Sequence, residues 1–139
     1  MFENTRGGLI PYVIRGDQIY ICLMLPSNEE FGGSDYQLAK GHREEGETDK
    51  ECAVREAIEE LGLIKENLEQ PWHINDLKKI SWWAAEYKDF NLDDHSDETK
   101  DAKWFKLGDA FNDIREWQRS ILGKFIWKLR DKHPGDRLV

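Results

Sequence analysis

The sequence predicts a mixed α/β or α+β fold, and three observations predict it. Two strand-like runs joined by a turn open the chain, a helix with its own start and stop signals occupies the middle, and an apolar stripe at helical spacing closes it. The alternation of strands and helices is irregular. No repeat, low-complexity block or long linker divides residues 1–139, so one domain is expected. With 39% hydrophobic residues, among them six Trp, six Phe and four Tyr, the chain can build one core.

Gly8 to Ile14 and Gln18 to Leu25 are apolar, strand-like runs, and Arg15-Gly16-Asp17 punctuates them, which predicts a β-hairpin. Pro26 to Asp35, with its Phe31-Gly32-Gly33-Ser34 turn, predicts an exposed loop leading to a short extended piece at Tyr36 to Ala39. A helix starts at Thr48, which forms a capping box with Glu51. Val54, Ile58 and Leu61 give that helix an apolar face at i, i+4 and i+7, and Gly62 stops it. Pro71 breaks the acidic stretch that follows. Ile80 to Tyr87 reads as a strand, Asp89 to Asp101 as an acidic loop and Ala102 to Phe105 as a short strand. From Leu107 to Phe111, and on through Ile114, Trp117, Ile121, Phe125 and Leu129, spacings of three and four predict one long closing helix.

Composition narrows the function. The 28 acidic against 20 basic residues leave a net charge of -8, which disfavours broad adhesion to nucleic acid or to an anionic membrane. A small polyanionic substrate would need local help from a cation. No apolar run approaches the roughly 20 residues of a membrane helix, and Met1 to Gly8 lacks the apolar segment of a signal peptide, so a soluble, cytoplasmic protein is expected. Cys22 and Cys52 sit in separate apolar runs outside any metal or redox spacing, and buried free thiols are expected.

The chemistry gathers in the middle of the chain. On a helix Glu56, Glu59 and Glu60 stand at i, i+3 and i+4, so three carboxylates leave one face. Such like-charge pairs destabilise an isolated helix by roughly a few tenths of a kcal/mol each. A solvated charged face is one reading of the cluster; a bound divalent cation is the other. Mg²⁺, with Mn²⁺ as an alternative, prefers oxygen ligands and is commonly shared between one or two carboxylates and substrate phosphates. Arg55, one residue before the triad, is placed to pair with a carboxylate and orient it.

Gly41 through Leu63 resembles the Nudix box, G-x5-E-x7-R-E-U-x-E-E-x-G-U with U apolar. Gly41, Glu47, Arg55, Glu56, Ala57, Glu59, Glu60, Gly62 and Leu63 fill all nine specified positions. The resemblance implies an α/β/α sandwich around a central mixed sheet. It also implies a Mg²⁺-dependent hydrolase that cleaves a phosphoric anhydride bond in a nucleoside diphosphate-linked substrate. By that resemblance Glu59 and Glu60 are principal metal ligands and Glu56 is a further ligand or the base that activates water. Arg55 holds Glu56, a backbone carbonyl at Gly41 or its neighbour completes the metal site, and Glu47 supports the loop through Arg55.

Lys40-Gly41-His42 is similar to the P-K-G-H segment of dinucleoside polyphosphate hydrolases, with Ala39 in place of the proline; Lys40 is expected to bind phosphate as a point charge and His42 to hydrogen-bond within its loop. Family members recruit a further acid after the box. Glu98 is favoured over Asp93, Asp94 and Asp97 because it precedes Trp104 by six positions, as in those hydrolases. Tyr12, Phe31, Tyr36, Trp82, Trp83 and Tyr87 are candidates for stacking on a base, Tyr36 and Tyr87 being assigned to substrate binding, whereas Trp72, Trp104, Trp117 and Trp127 are expected to be structural. A dinucleoside polyphosphate or ADP-ribose-like compound is the expected substrate. An RNA 5′-pyrophosphohydrolase and a nonenzymatic nucleotide sensor are the alternatives, and the protein is expected to be a monomer or a homodimer.

Overall fold

The computed structural model describes residues 3–28, 30 and 34–133. Its organising strand is β1 (Arg6–Arg15), which turns at Gly16 into β2 (Gln18–Pro26) with Tyr12 opposite Ile21, the expected hairpin. The other edge of β1 is covered along most of its length by β5 (Ile80–Glu86), running parallel from Arg6 opposite Ile80 to Tyr12 opposite Glu86. The short strand β3 (Ala39–His42) pairs antiparallel with the first half of β1, Arg6 facing His42 and Gly8 facing Lys40. β4 (Trp72–Leu77) and β6 (Thr99–Lys106) form the two ends, in the order β4-β5-β1-β2-β6.

Because strand side chains alternate between faces, β1 feeds two separate cores. Leu9 and Val13 join Cys22, Met24, Ala85 and Tyr87 on one face, under α1 (Asp49–Leu61). Ile10 and Tyr12 join Ile21, Trp82 and Ala84 on the other, under α2 (Leu107–Asp113) and α3 (Arg119–Lys132). A mixed sheet between helical layers is the fold class the sequence predicts. Cys22 and Cys52 are buried free thiols, as expected. No described helix is long and apolar enough to cross a membrane.

Helix α1 carries the signals read for it. The Thr48 side chain accepts from the Glu51 amide while the Glu51 carboxylate accepts from the Thr48 amide, and Gly62 ends the helix in the left-handed region at φ 73°. Its buried face differs from the expected one. Cys52, Ala53, Ala57 and Leu61 pack on the sheet, while Val54 and Ile58 are only half-buried. The first turns of the helix lie so close to β1 that a Cβ at Gly7 would come within 2.8 Å of the Ala53 nitrogen, so small residues take that part of the seam.

Three further differences have local causes. The strand β4 was not anticipated: it is an edge strand interrupted by a bulge between His73 and Asn75, and its polar residues hide the period-two pattern. Strand β6 begins at Thr99, three residues before the predicted start. The predicted closing helix is broken in two. Ile114 turns extended (ψ 149°), pairs with Tyr36, and is followed by a short 3-10 helix at Glu116–Gln118 before α3. The Arg115 amide donates to the Tyr36 carbonyl at 2.8 Å, a tertiary bond that apolar spacing cannot reveal. Trp127, expected to be structural, projects from α3 and is 70% exposed.

Candidate active site

The first half of β1, strand β3 and the C-terminal half of α1 meet at a cleft of about 690 Å³. Lys40 and Gly41 of β3 line it beside Glu56 and Glu60 of α1, and Asp97 and Glu98 come in from the loop before β6. The three glutamates of the helical triad do not share one environment. Glu60 is buried at 8% exposure, Glu56 is half-buried, and Glu59 is exposed.

One guanidinium orders the triad. Arg55 grips Glu47 with two bonds, Nε to Oε2 at 2.5 Å and Nη2 to Oε1 at 3.0 Å. Its Nη1 donates to Glu56 Oε1 at 2.9 Å and, at 3.4 Å, to Glu59; its Nη2 also donates to the His42 carbonyl at 2.9 Å. The planar fork of arginine satisfies these directions at once, as the point charge of lysine would not. Glu47 is thereby held below the usual carboxylate range. At the other side of Glu56, a Cβ on residue 41 would fall onto the carboxyl group and displace it from the place Arg55 holds it in.

The carboxylates that face the cleft are electrostatically strained. Burial, with Glu56 and Glu98 adding like charge, pushes Glu60 up to about 8, against a single hydrogen bond from the Lys40 amide at 2.8 Å. Burial also raises Glu56, which feels Glu59 and Glu98. Lys40 is lowered by burial and by Arg6 and Arg115, while Glu60 and Glu56 act the other way.

This arrangement fits a hard divalent cation. Among the described residues no three acidic, His or Cys side chains close into a ready-made cage. Mg²⁺ does not need one, since it keeps several waters and binds through one or two carboxylates plus phosphate oxygens. What the site offers is all-oxygen donors, a buried carboxylate that ionises reluctantly alone, and further acids close enough to repel it. A cation would relieve each of these. Glu56 and Glu60 could hold it, with Glu98 on the same cleft; Glu59 stands outside on Arg55, and the Gly41 carbonyl accepts from the Cys52 thiol at 3.4 Å.

The remaining sequence candidates divide clearly. Glu98 faces the cleft with Asp97, whereas Asp93 does not. The Asp93 amide donates to the Gly62 carbonyl at 2.6 Å and the residue packs on the end of α1. His42 lies on the rim, exposed. None of the described aromatic candidates lines the cleft. Tyr87 is 1% exposed, and its hydroxyl accepts from the Ile64 amide and donates to the Asn91 carbonyl. Tyr36 packs edge-on against Phe105 and donates to Asp101 at 2.5 Å. Tyr12 and Trp82 are core, and Trp83, half-buried, donates to Ser81. Phe31 lies outside the described residues.

Two cleft residues escaped the sequence reading. Gln37 is buried, donates to the Met24 sulfur and has an Oε1 with no protein partner; Arg6 enters from the start of β1. Neither belongs to a motif: the pairing of β3 with β1 brings Arg6 to Lys40, and a bridge to Met24 of β2 fixes Gln37 just before β3.

Comparison with known proteins agrees with this geometry. The NAD-capped RNA hydrolase NudC of Pseudomonas aeruginosa is 33% identical over 129 residues, 90% of this chain and 44% of that protein. The chain thus spans less than half the length of the curated relatives it matches first. Among solved structures, a binary complex of a C. elegans Ap4A hydrolase superposes with a TM-score of 0.72 at 25% identity, over 91% of this chain and 97% of that one. The NUDIX domain of Shewanella oneidensis NrtR complexed with ADP ribose has a TM-score of 0.71 at 14% identity, over 93% of this chain and 90% of that one, a likeness of fold alone. The family model of the NUDIX domain matches residues 7–125, which take in all six strands but for Arg6, the box and the first half of α3, and the chain belongs to that family.

Proposed function

We propose that this protein is a Mg²⁺-dependent hydrolase that cleaves a phosphoric anhydride bond in a nucleoside diphosphate-linked substrate, with water as the nucleophile. The observation that carries the reading is the convergence of Glu56, Glu60 and Glu98 beside Lys40 in one cleft, with Arg55 fixing Glu56 from behind. A bound divalent cation would supply charge neutralisation of the diphosphate and a lowered pKa for the attacking water. Glu60 and Glu56 would hold it, with support from Glu59, Glu98 and the Gly41 carbonyl. Glu56 is also the residue best placed to take a proton: Arg55 occupies its Oε1, which leaves Oε2 turned toward Gly41. Lys40 would meet a substrate phosphate.

The family's members generally use divalent metal ions, and the relatives above are named for Ap4A and for NAD-capped RNA. These compounds share an adenosine 5′-phosphoanhydride, and that linkage is the proposed substrate class. A second reading, hydrolysis of an NAD-type cap at an RNA 5′ end, is favoured by the 33% identity to NudC, while the net charge of -8 opposes broad contact with an RNA body. Cytoplasmic location and a monomeric or homodimeric state are part of the same proposal.

The test is product analysis by chromatography, with and without Mg²⁺ or Mn²⁺, on diadenosine tetraphosphate, ADP-ribose, NADH, NAD-capped RNA and 5′-triphosphorylated RNA. Metal-dependent cleavage that is lost in Glu60→Gln is expected. Nucleotide binding without turnover of any compound would instead identify a sensor.

A further inference from the structure

In and beside the cleft stands a group of cations that the box does not use. Its acidic half neutralises the arginines near it: Arg55 pairs with Glu44, Glu47, Glu56 and Glu59, and Arg43 with Glu3 and Asp49. Arg6, Lys40 and Arg115 are different. Among the described residues none of the three makes an ion pair, in a chain with 28 acidic residues against 20 basic ones.

They come from three segments that meet around β3: β1, β3 itself, and the break after α2, which is bridged to Tyr36 just ahead of β3. Lys40 stands opposite Gly8 and Arg6 opposite His42, so Arg6 and Lys40 leave the same face of the paired strands two residues apart, and both line the cleft. Arg6 makes only a long contact of 3.5 Å to the Lys78 carbonyl. Arg115 stands outside the cleft lining, half-buried in the break between the last two helices, where its amide donates to the carbonyl of Tyr36, four residues before Lys40. The break that the sequence conceals is what delivers Arg115 to this place. Cations gathered without ion-pair partners repel one another, and an anion with several charges would relieve them.

We propose that Arg6, Lys40 and Arg115 form a shelf for phosphates beyond the scissile anhydride, so that the preferred substrates carry three or more linked phosphates rather than two. This rests on the hydrolase reading of the cleft. At the carboxylate side a bound cation would match the charge of a diphosphate. Lys40 lines the cleft with the carboxylates, and Arg6 and Arg115 extend its charge toward further phosphates, which arginine can take in a bidentate fashion.

Two measurements test it. The first is the ratio of kcat/KM for diadenosine tetraphosphate to that for ADP-ribose. Arg6→Ala and Arg115→Ala should each lower this ratio by about tenfold, the size of one lost charge-assisted contact, mainly through KM for the tetraphosphate. A ratio within about twofold of wild type in both variants would overturn the shelf. The second needs no turnover and therefore separates failure of the shelf from failure of the hydrolase reading. Calorimetric binding of inorganic tripolyphosphate and pyrophosphate is measured without divalent ions. Wild type should bind tripolyphosphate about tenfold more tightly, and the double variant should lose that preference. Equal affinity for the two anions, no binding of either, or a preference that survives both substitutions would reject the proposal.

Discussion

The two faces of the sheet are covered by helices that do opposite work. α3 lays Ile121, Leu122, Phe125 and Leu129 against Tyr12, Ile21 and Trp82, with the Phe125 ring 5.4 Å from Tyr12 and nearly parallel to Trp72. α1 presents only Cys52, Ala53, Ala57 and Leu61 to its face, and buries a glutamate among them. Large side chains gain stability by burial; small ones gain little but let the backbone approach closely. The α1 layer adds less to its core than α3 does, is fixed also by its caps and by the Arg55 network, and sets carboxylates in place. Stability and chemistry are lodged on different faces.

That division can be broken from either side. The largest expected effect is on chemistry: Glu56→Gln or Glu60→Gln should lower Mg²⁺-dependent turnover by about a thousandfold or more, as loss of several kcal/mol of metal-borne stabilisation requires, while the thermal midpoint in metal-free buffer does not fall. The mirror experiment is Phe125→Ala. It should destabilise by about 3–5 kcal/mol in denaturant titration, yet leave kcat per folded molecule near wild type. If Phe125→Ala abolished kcat in fully folded protein, the separation of the two faces would be wrong.

Arg55→Lys comes next in size. It keeps the charge but cannot bridge Glu47, Glu56 and the His42 carbonyl together, so turnover should fall about 10- to 100-fold, with kcat carrying most of the loss.

Acidity gives a subtler readout. Glu60 ionises at about 8 in the folded protein against 4.5 ordinarily. A raised folded pKa contributes stability that is fully present below the unfolded value and lost as pH rises through the folded one. In metal-free buffer the thermal midpoint of wild type should thus fall relative to Glu60→Gln between about pH 5 and pH 8, and Mg²⁺ should restore it. A difference that stays flat with pH would show that Glu60 is not strained. The smallest effect is Thr48→Ala, a loss of about 1 kcal/mol from the capping box, read by chemical denaturation.

The same division explains what was legible in the sequence. α1 could be read nearly residue by residue because its signals are local: Thr48 and Glu51 at one end, Gly62 at the other, and carboxylates at fixed helical spacing between them. Its depth could not. Helical spacing puts Glu56, Glu59 and Glu60 on one face, but whether each is buried or exposed depends on β3 passing beside Gly41. On the other face the apolar spacing of residues 107–129 fits one helix as well as two, and Tyr36 decides between them through a tertiary bond. Tyr87 was assigned to substrate because an aromatic side chain serves a core or a ligand equally well. Its place next to Ala85 on the α1 face settles it as core. Arg6 and Arg115 carry no local signal, and only the folded chain brings them to Lys40.

The most direct test of the central claim, that Glu56 and Glu60 seat a divalent cation, is Mn²⁺ binding followed by electron paramagnetic resonance on wild type and Glu60→Gln. Saturable binding in wild type that weakens at least about tenfold in the variant, with both proteins folded, is the predicted result. Equal Mn²⁺ affinity in the two proteins would contradict the account and place the metal elsewhere.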